Sequence, residues 1–335
     1  MKKRIRLLSL VLMIIMLTSV VTACGDPETM IFNMPENKVP VEDVIYMDLA
    51  AEMVPLTRTP AIFAIPVPSA PGTQVRTNQK ATIDFSNSRD GYVMVRFNEN
   101  TSRQLRVLIT GPSGVRYQYR LNQNRAWEVF PLSDGNGSYT IGVFENIEGS
   151  RFAQAVSATI TVTLRDEFAP FLRPNQFVNF DKDSAVVAKA AELVRNISGV
   201  YPRVEAIYNF VINNISYDRV FAREVQRGMH SGYIPDVDAV LANRKGICFD
   251  YAALMTAMLR SLGIPTRLVI GYAGDQYHAW IDVYSETDGW INNVIFFDGS
   301  DWNLMDPTFA ATGNQSAEVM RFIGDGTNYS PRFLY

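Results

Sequence analysis

The chain has 335 residues, 47% hydrophobic and 19% charged, with a formal net charge of −3. Length and composition predict a globular protein of about two domains and exclude disordered or fibrous classes. A mildly acidic balance argues against a nucleic-acid partner. Two histidines 48 positions apart and two cysteines make no zinc pattern and imply no cofactor.

Lys2, Lys3, Arg4 and Arg6 precede an apolar run over residues 7–21, broken only by Ser9, Thr18 and Ser19. The run is short for a membrane-spanning helix, and its charge layout is that of a signal peptide. It closes on Val21-Thr22-Ala23-Cys24, which resembles the lipobox of bacterial lipoproteins. The resemblance implies cleavage after residue 23 and diacylglycerol on the Cys24 sulfur. Such an anchor holds by burying methylenes at ~0.8 kcal/mol each. An ordinary signal peptide with an incidental cysteine is the alternative; both place the body of the protein outside the cytoplasm. Loss of residues 1–23 removes four positive charges and no acid, which takes the net charge from −3 to −7. With Cys24 lipidated, Cys248 has no intramolecular disulfide partner. A lone thiol in an oxidising compartment is a liability unless it is buried or used.

Residues 24–74 are Pro-rich. Pro55, Pro60, Pro66, Pro68 and Pro71 forbid a continuous helix and predict an extended tether. From residue 75 to 166 the period is two. Alternating runs fall at 81–85, 92–97, 105–109, 115–121, 139–143 and 158–164, with turns at Gly111-Pro112-Ser113-Gly114 and Asp134-Gly135-Asn136-Gly137. Six or seven short strands at this spacing predict an all-β, immunoglobulin-like sandwich. It holds no cysteine or histidine. It is read as a spacer, with partner binding as the alternative.

Residues 166–179, with Pro170 and Pro174, read as a linker. Helical periods follow. One helix starts at Asp183 or Ser184 and carries Val186, Val187, Ala190, Ala191 and Val194. A second carries Val204, Ile207, Tyr208, Val211 and Ile212, and a third covers 236–243. A fourth begins near Cys248, carries Ala252, Leu254, Met255, Met258 and Leu259, and stops at Gly263-Ile264-Pro265. Strands are expected at 266–272, 278–284, 290–297 and 301–305. Helices followed by an antiparallel sheet make an α+β plan over residues 167–325.

Cys248 is placed at a helix start, where unpaired N–H groups and aligned peptide dipoles favour a thiolate. His278 opens a strand, and Asp306 closes one. Together they are the parts of a Cys-His-Asp acyl-transfer site, with Asp306 orienting the imidazole. Gly246 permits a tight approach beside the cysteine. Asp250 is read as a structural cap, or as a partner for Arg244 or Lys245. Trp280 and Trp302 read as core or cleft wall. His230 lies in Gly228-Met229-His230-Ser231-Gly232, an exposed loop without a catalytic role.

The contexts are more specific than the residue types. Gly246-Ile247-Cys248-Phe249-Asp250-Tyr251-Ala252, Leu262-Gly263-Ile264-Pro265-Thr266-Arg267, His278-Ala279-Trp280 and Asp306-Pro307-Thr308 occur in that order. Upstream lies Ile215-Ser216-Tyr217-Asp218. This series resembles the transglutaminase-like superfamily over roughly residues 175–312. The resemblance implies a papain-like core with Cys248 as nucleophile, His278 as general base and acid, and Asp306 as orienter. The stretch from Tyr233 to Leu241 resembles one that begins, in animal transglutaminases, with an oxyanion-stabilising tryptophan. Tyr233 stands in its place as an oxyanion candidate beside the Cys248 N–H. The expected function is amide acyl transfer through a thioester, with hydrolysis ahead of crosslinking and with surface protein or peptidoglycan peptide as substrate. A binding module without turnover is the alternative.

Overall fold

The computed structural model describes residues 64–292, 295–297, 302–304 and 328–335. Cys24, the tether up to residue 63 and Asp306 lie outside the described residues. Among the described residues no helix is long and apolar enough to cross a membrane.

Eight strands build the N-terminal part: β1 (Val75–Thr77), β2 (Ala81–Asp84), β3 (Tyr92–Phe97), β4 (Leu105–Thr110), β5 (Arg116–Leu121), β6 (Glu128–Pro131), β7 (Gly137–Glu148) and β8 (Arg151–Val162). They form two antiparallel four-stranded sheets, ordered β1-β2-β3-β6 and β5-β4-β7-β8. Alternate side chains of both sheets, among them Ile83, Val95, Val107, Ile109, Phe130 and Ile141, share one buried cluster. The period-two runs anticipated most of this. They missed β1, which is exposed along its length, β6, whose short run ends on Pro131, and the first half of β8, where one face is largely exposed and the apolar alternation is weak. The tether does not run free to residue 74. The Ser69 N–H donates to the Tyr92 hydroxyl at 3.2 Å, and the Gly72 N–H to Asp84 Oδ2 at 2.7 Å.

The expected linker is also packed. A short 3-10 helix over Ala169–Phe171 is buried, as are Asn175, Gln176, Val178 and Phe180. Its prolines shape an irregular path, while its aromatic residues pull that path into the core. Arg267 explains part of the attachment: its guanidinium lies 3.5 Å from the Trp290 ring centroid and 4.9 Å from that of Phe171.

Five helices follow: α1 (Ala185–Leu193), α2 (Val200–Asn214), α3 (Arg219–Gln226), α4 (Val237–Asn243) and α5 (Cys248–Ser261). Between them, β9 (Ser216–Tyr217) pairs in parallel with β10 (Lys245–Gly246). β11 (Thr266–Ala273) is central in an antiparallel sheet, between β12 (Gln276–Ser285) and the last strand, β16 (Tyr329–Leu334). β13 (Gly289–Ile291) extends the sheet beyond β12. A separate hairpin pairs β14 (Ile295–Phe297) with β15 (Trp302–Leu304).

Every residue of α5 is buried, which marks a central helix rather than an amphipathic surface one. It packs on α1, α2, α4, β11 and β12. Its C-terminus closes as expected. The Gly263 N–H reaches Arg260 O and the Ile264 N–H reaches Leu259 O, the paired bonds of a Schellman stop.

One buried cation ties these parts together. Arg260, 0% exposed, donates from Nε to Thr266 O at 2.9 Å, from Nη1 to Arg173 O at 2.7 Å and from Nη2 to Tyr335 O at 2.6 Å. Aromatic edges complete the junction with the sandwich. Tyr117 and Tyr119 both meet the Tyr335 ring edge-on, and Phe177 contacts Tyr119 on one side and Phe249 on the other.

Candidate active site

Helix α5 begins at Cys248 because the chain before it is extended and capped. Ile247 has φ −101° and ψ 179°, and its N–H donates to Asp250 Oδ2 at 2.8 Å. Asp250 therefore caps the first turn, as the sequence suggested. Gly246 makes this possible: a Cβ there would lie 2.6 Å from Asp250 Cβ.

The expected pairing of Asp250 with Arg244 or Lys245 does not occur. Lys245 Nζ binds Asp218 Oδ2 at 2.9 Å, and Arg244 occupies the left-handed C-cap of α4. The second oxygen of Asp250 instead accepts from Tyr233 Oη at 2.7 Å. Burial raises the Asp250 carboxyl to about 6. The Ile247 N–H and the Tyr233 hydroxyl pull it down less, and the Asp218 charge adds to the rise. Burial, reinforced by the Asp250 charge, raises Tyr233 too. The Tyr233 hydroxyl thus spends its one proton on Asp250, where the sequence reading had offered it to a substrate oxygen.

Asp218 explains the Tyr-Asp pattern upstream. Its Oδ1 accepts from the Val220 and Phe221 N–H groups and caps α3, a helix missed in the sequence reading. Its N–H donates to Gly246 O at 2.8 Å, two residues before Cys248. Burial pushes the Asp218 carboxyl up. The Phe221 N–H, Lys245 and the Val220 N–H outweigh it and hold the group below its usual value. The signal was present as an Asp ahead of an amphipathic octamer.

His278 sits on β12 opposite Gly271 of β11, 3% exposed, with its ring stacked on Trp280 at 6.3 Å between centroids. Alternation along β12 sends Tyr277, Ala279, Ile281 and Val283 into the cluster that contains α5. His278 shares the other face with Trp280, which packs with Val269 and Tyr329. Burial pushes the Tyr277 hydroxyl up to about 12; Tyr272 and Cys248 add to the rise and Arg332 opposes it. Tyr277, the residue before His278, packs against the buried cluster that contains Cys248. Trp302 belongs to β15, and Asp306 lies outside the described residues.

Cys248 itself is 0% exposed. Cys248 does not line the cavity of about 340 Å³ found here, but its chain neighbour Phe249 does, together with Tyr277, Tyr233 and β5 of the sandwich. His230 also lines it, held by Glu224 Oε2 at 2.8 Å and packed on Phe221, so it is not the free loop residue expected.

Residues 187–293 match the family model described as the transglutaminase-like superfamily. Over 69 residues the chain is 32% identical to a protein-glutamine gamma-glutamyltransferase of Pseudomonas aeruginosa, covering 16% of this chain and 10% of that one. Over 122 residues it is 26% identical to the uncharacterized protein YebA of Bacillus subtilis, covering 30% and 16%. It thus spans only a small part of these curated relatives. Among solved structures, a candidate cysteine protease from Cytophaga hutchinsonii aligns with TM-score 0.37 and 18% identity, covering 78% of this chain and 74% of that one. Red sea bream transglutaminase aligns with TM-score 0.27 and 12% identity, covering 71% and 54%.

Proposed function

We propose, from the premise that residues 187–293 form a transglutaminase-like domain, that the chain is a cysteine-dependent acyl-transfer enzyme acting on peptide or glutamine amides. The observation that carries this reading is the placement of Cys248. It is the first residue of a buried helix that packs against β12, the strand that carries His278. Backbone N–H groups at that helix start favour both a thiolate and a developing oxyanion.

In this mechanism the His278 ring, which stacks on Trp280 on the far face of β12, turns toward the start of α5 and takes the Cys248 proton as sulfur attacks the amide carbon. The tetrahedral oxyanion leans on the Cys248 N–H. Tyr233 joins only when its hydroxyl turns away from Asp250. His278 then gives its proton to the departing amine or ammonia, and the carbon–nitrogen bond breaks to leave a thioester. Asp306 orients the imidazole throughout. Water, deprotonated by His278, attacks the thioester and releases a carboxylate and the free thiol.

Hydrolysis is favoured over crosslinking on electrostatic grounds. Arg116 and Arg120 line the cavity, no acid among the described residues does, and that charge repels a lysine ammonium. The strand order β1-β2-β3-β6 and β5-β4-β7-β8 supports reading the N-terminal domain as an immunoglobulin-like sandwich. The lipobox-like Cys24 supports export and attachment to a bacterial membrane by lipid.

The test uses the full chain in detergent on glutaminyl peptides. Ammonia release, backbone cleavage and amine incorporation are followed separately by mass spectrometry. Turnover must vanish in Cys248→Ala; turnover that survives removes the assignment. Cys24→Ser must leave the protein unattached to membranes, and membrane retention of that variant removes the lipoprotein reading.

A further inference from the structure

The charge of the cavity lined by Phe249, the neighbour of Cys248, bears on the acyl donor as well as on the acceptor. Its sandwich wall is β5, the edge strand of its sheet, so both alternate sets of side chains reach it. Arg116, Gln118 and Arg120 contribute from one face and Tyr119 from the other. Arg116 is exposed. The Arg120 guanidinium donates to Ser231 Oγ at 2.8 Å and lies across Gly232, where a Cβ would sit 1.8 Å from Arg120 Nε. Gly232 has φ +76°, so only glycine both turns the loop and leaves room for the cation.

Neither arginine has a carboxylate partner among the described residues, and the neighbouring acids are engaged. Glu224 holds His230, Glu128 holds Asn122 and Gln176, and Asp250 holds Tyr233 and the Ile247 N–H. Tyr119 adds an independent sign. Its ring is buried, its hydroxyl has no hydrogen-bond partner among the described residues, and it lines the cavity. A buried donor without an acceptor is rare in folded proteins. The two guanidinium groups donate only and the Tyr119 hydroxyl has a proton to give, which together suit a carboxylate; the unpartnered Gln176 Oε1 in the same lining is an acceptor and suits an N–H of the peptide that carries it.

We infer that this cavity is a carboxylate-binding subsite, which selects acyl donors bearing a carboxylate near the amide that Cys248 attacks. The sandwich then reads the substrate instead of serving only as a spacer. The inference rests on the acyl-transfer reading for the identity of that amide. The carboxylate is an acidic side chain or a free peptide C-terminus, since both present the same two oxygens.

The test is retention of a peptide library by full-length Cys248→Ala protein in detergent. Each sequence is present with Glu or with isosteric Gln, and with a free or an amidated C-terminus. Carboxylate-bearing members should be retained about tenfold or more over their amide counterparts, the size expected of charge-assisted hydrogen bonds. Loss on Glu→Gln identifies a side-chain carboxylate, and loss on amidation a terminal one. The double variant Arg116→Gln, Arg120→Gln should bring the pairs to parity. Arg116→Glu, at an exposed position that does not threaten the fold, should lower retention of the acidic members by itself. Equal retention of acid and amide by the parent, or a preference that persists without both arginines, overturns the subsite.

Turnover of the same library by the wild-type chain separates the two ideas. Selective retention without turnover removes acyl transfer and leaves the subsite. Turnover indifferent to the carboxylate removes the subsite and leaves acyl transfer.

Discussion

The Tyr233 hydroxyl donates to Asp250 Oδ1 at 2.7 Å, and Asp250 stands two residues after Cys248 in the same helical turn. A carboxyl is thus buried at the start of α5, where it caps the helix and fixes a tyrosine at once.

Its titration carries a stability cost with a definite sign. The folded value, about 6, lies above the ordinary 3.8. The stability tied to the protonated form is complete below about pH 4 and is lost as pH rises through about 6. The shift corresponds to about 3 kcal/mol. Asp250→Asn keeps an acceptor oxygen for the Ile247 N–H, turns an amide N–H toward Tyr233, whose hydroxyl can accept it, and removes the titration. The variant should therefore gain on the wild type between pH 4 and pH 8 in denaturant midpoints. A gap between the two that does not change with pH contradicts this assignment.

Tyr233→Phe separates the two roles offered to that hydroxyl. Loss of an oxyanion donor lowers kcat by about 10²–10³. A hydroxyl committed to Asp250 should cost less than about tenfold, and should instead lower stability at pH 8 by leaving the carboxylate with one donor fewer. Parallel kcat and melting measurements distinguish the two.

Asp218→Ala should cost about 1 kcal/mol at pH 7 through loss of the α3 cap, and more if freeing Lys245 loosens β10. Asp218 has a lowered folded value, so its contribution is present above about pH 4 and lost as pH falls through the folded value. The penalty should shrink in urea titrations at pH 3. A penalty of equal size at both pH values would mean that charge has no part in it.

Arg260→Met should destabilise by about 3 kcal/mol or more, since it removes three hydrogen bonds, two of them fully buried, from main-chain oxygens. Arg173, Thr266 and Tyr335 meet on this side chain, and the Tyr335 ring touches Tyr117 and Tyr119 of the sandwich, so the loss should appear as one cooperative transition at lower urea. Two separated transitions, with the sandwich melting unchanged, would show that Arg260 does not couple them.

Much of the local structure was legible in the chain. The start of α5 followed from a glycine, a capping acid and the cysteine in a fixed order, and its end from Gly263-Ile264-Pro265. The strands β2 to β5 followed from short period-two runs, strictly alternating only in β5. The buried path of residues 166–180 did not, because prolines signal irregular backbone and say nothing about whether that backbone is covered. The partners of Asp250 and Lys245 were not legible either. Several oppositely charged or hydrogen-bonding groups lay within reach in sequence, and only packing chose among them.

By itself, the sequence determined what short-range forces determine. Helix and strand periods, caps and stops are set by hydrogen bonds and sterics within one segment, and the order of motifs around Cys248 and His278 is a property of the chain. The tertiary structure alone decided which distant groups meet. It placed Tyr233 on Asp250, joined Asp218 to Lys245, and ran Tyr119, Phe177 and Phe249 in ring contact from the sandwich to the helix of Cys248. Those meetings depend on how helices and sheets close against one another around a shared core, and no local pattern encodes that closure.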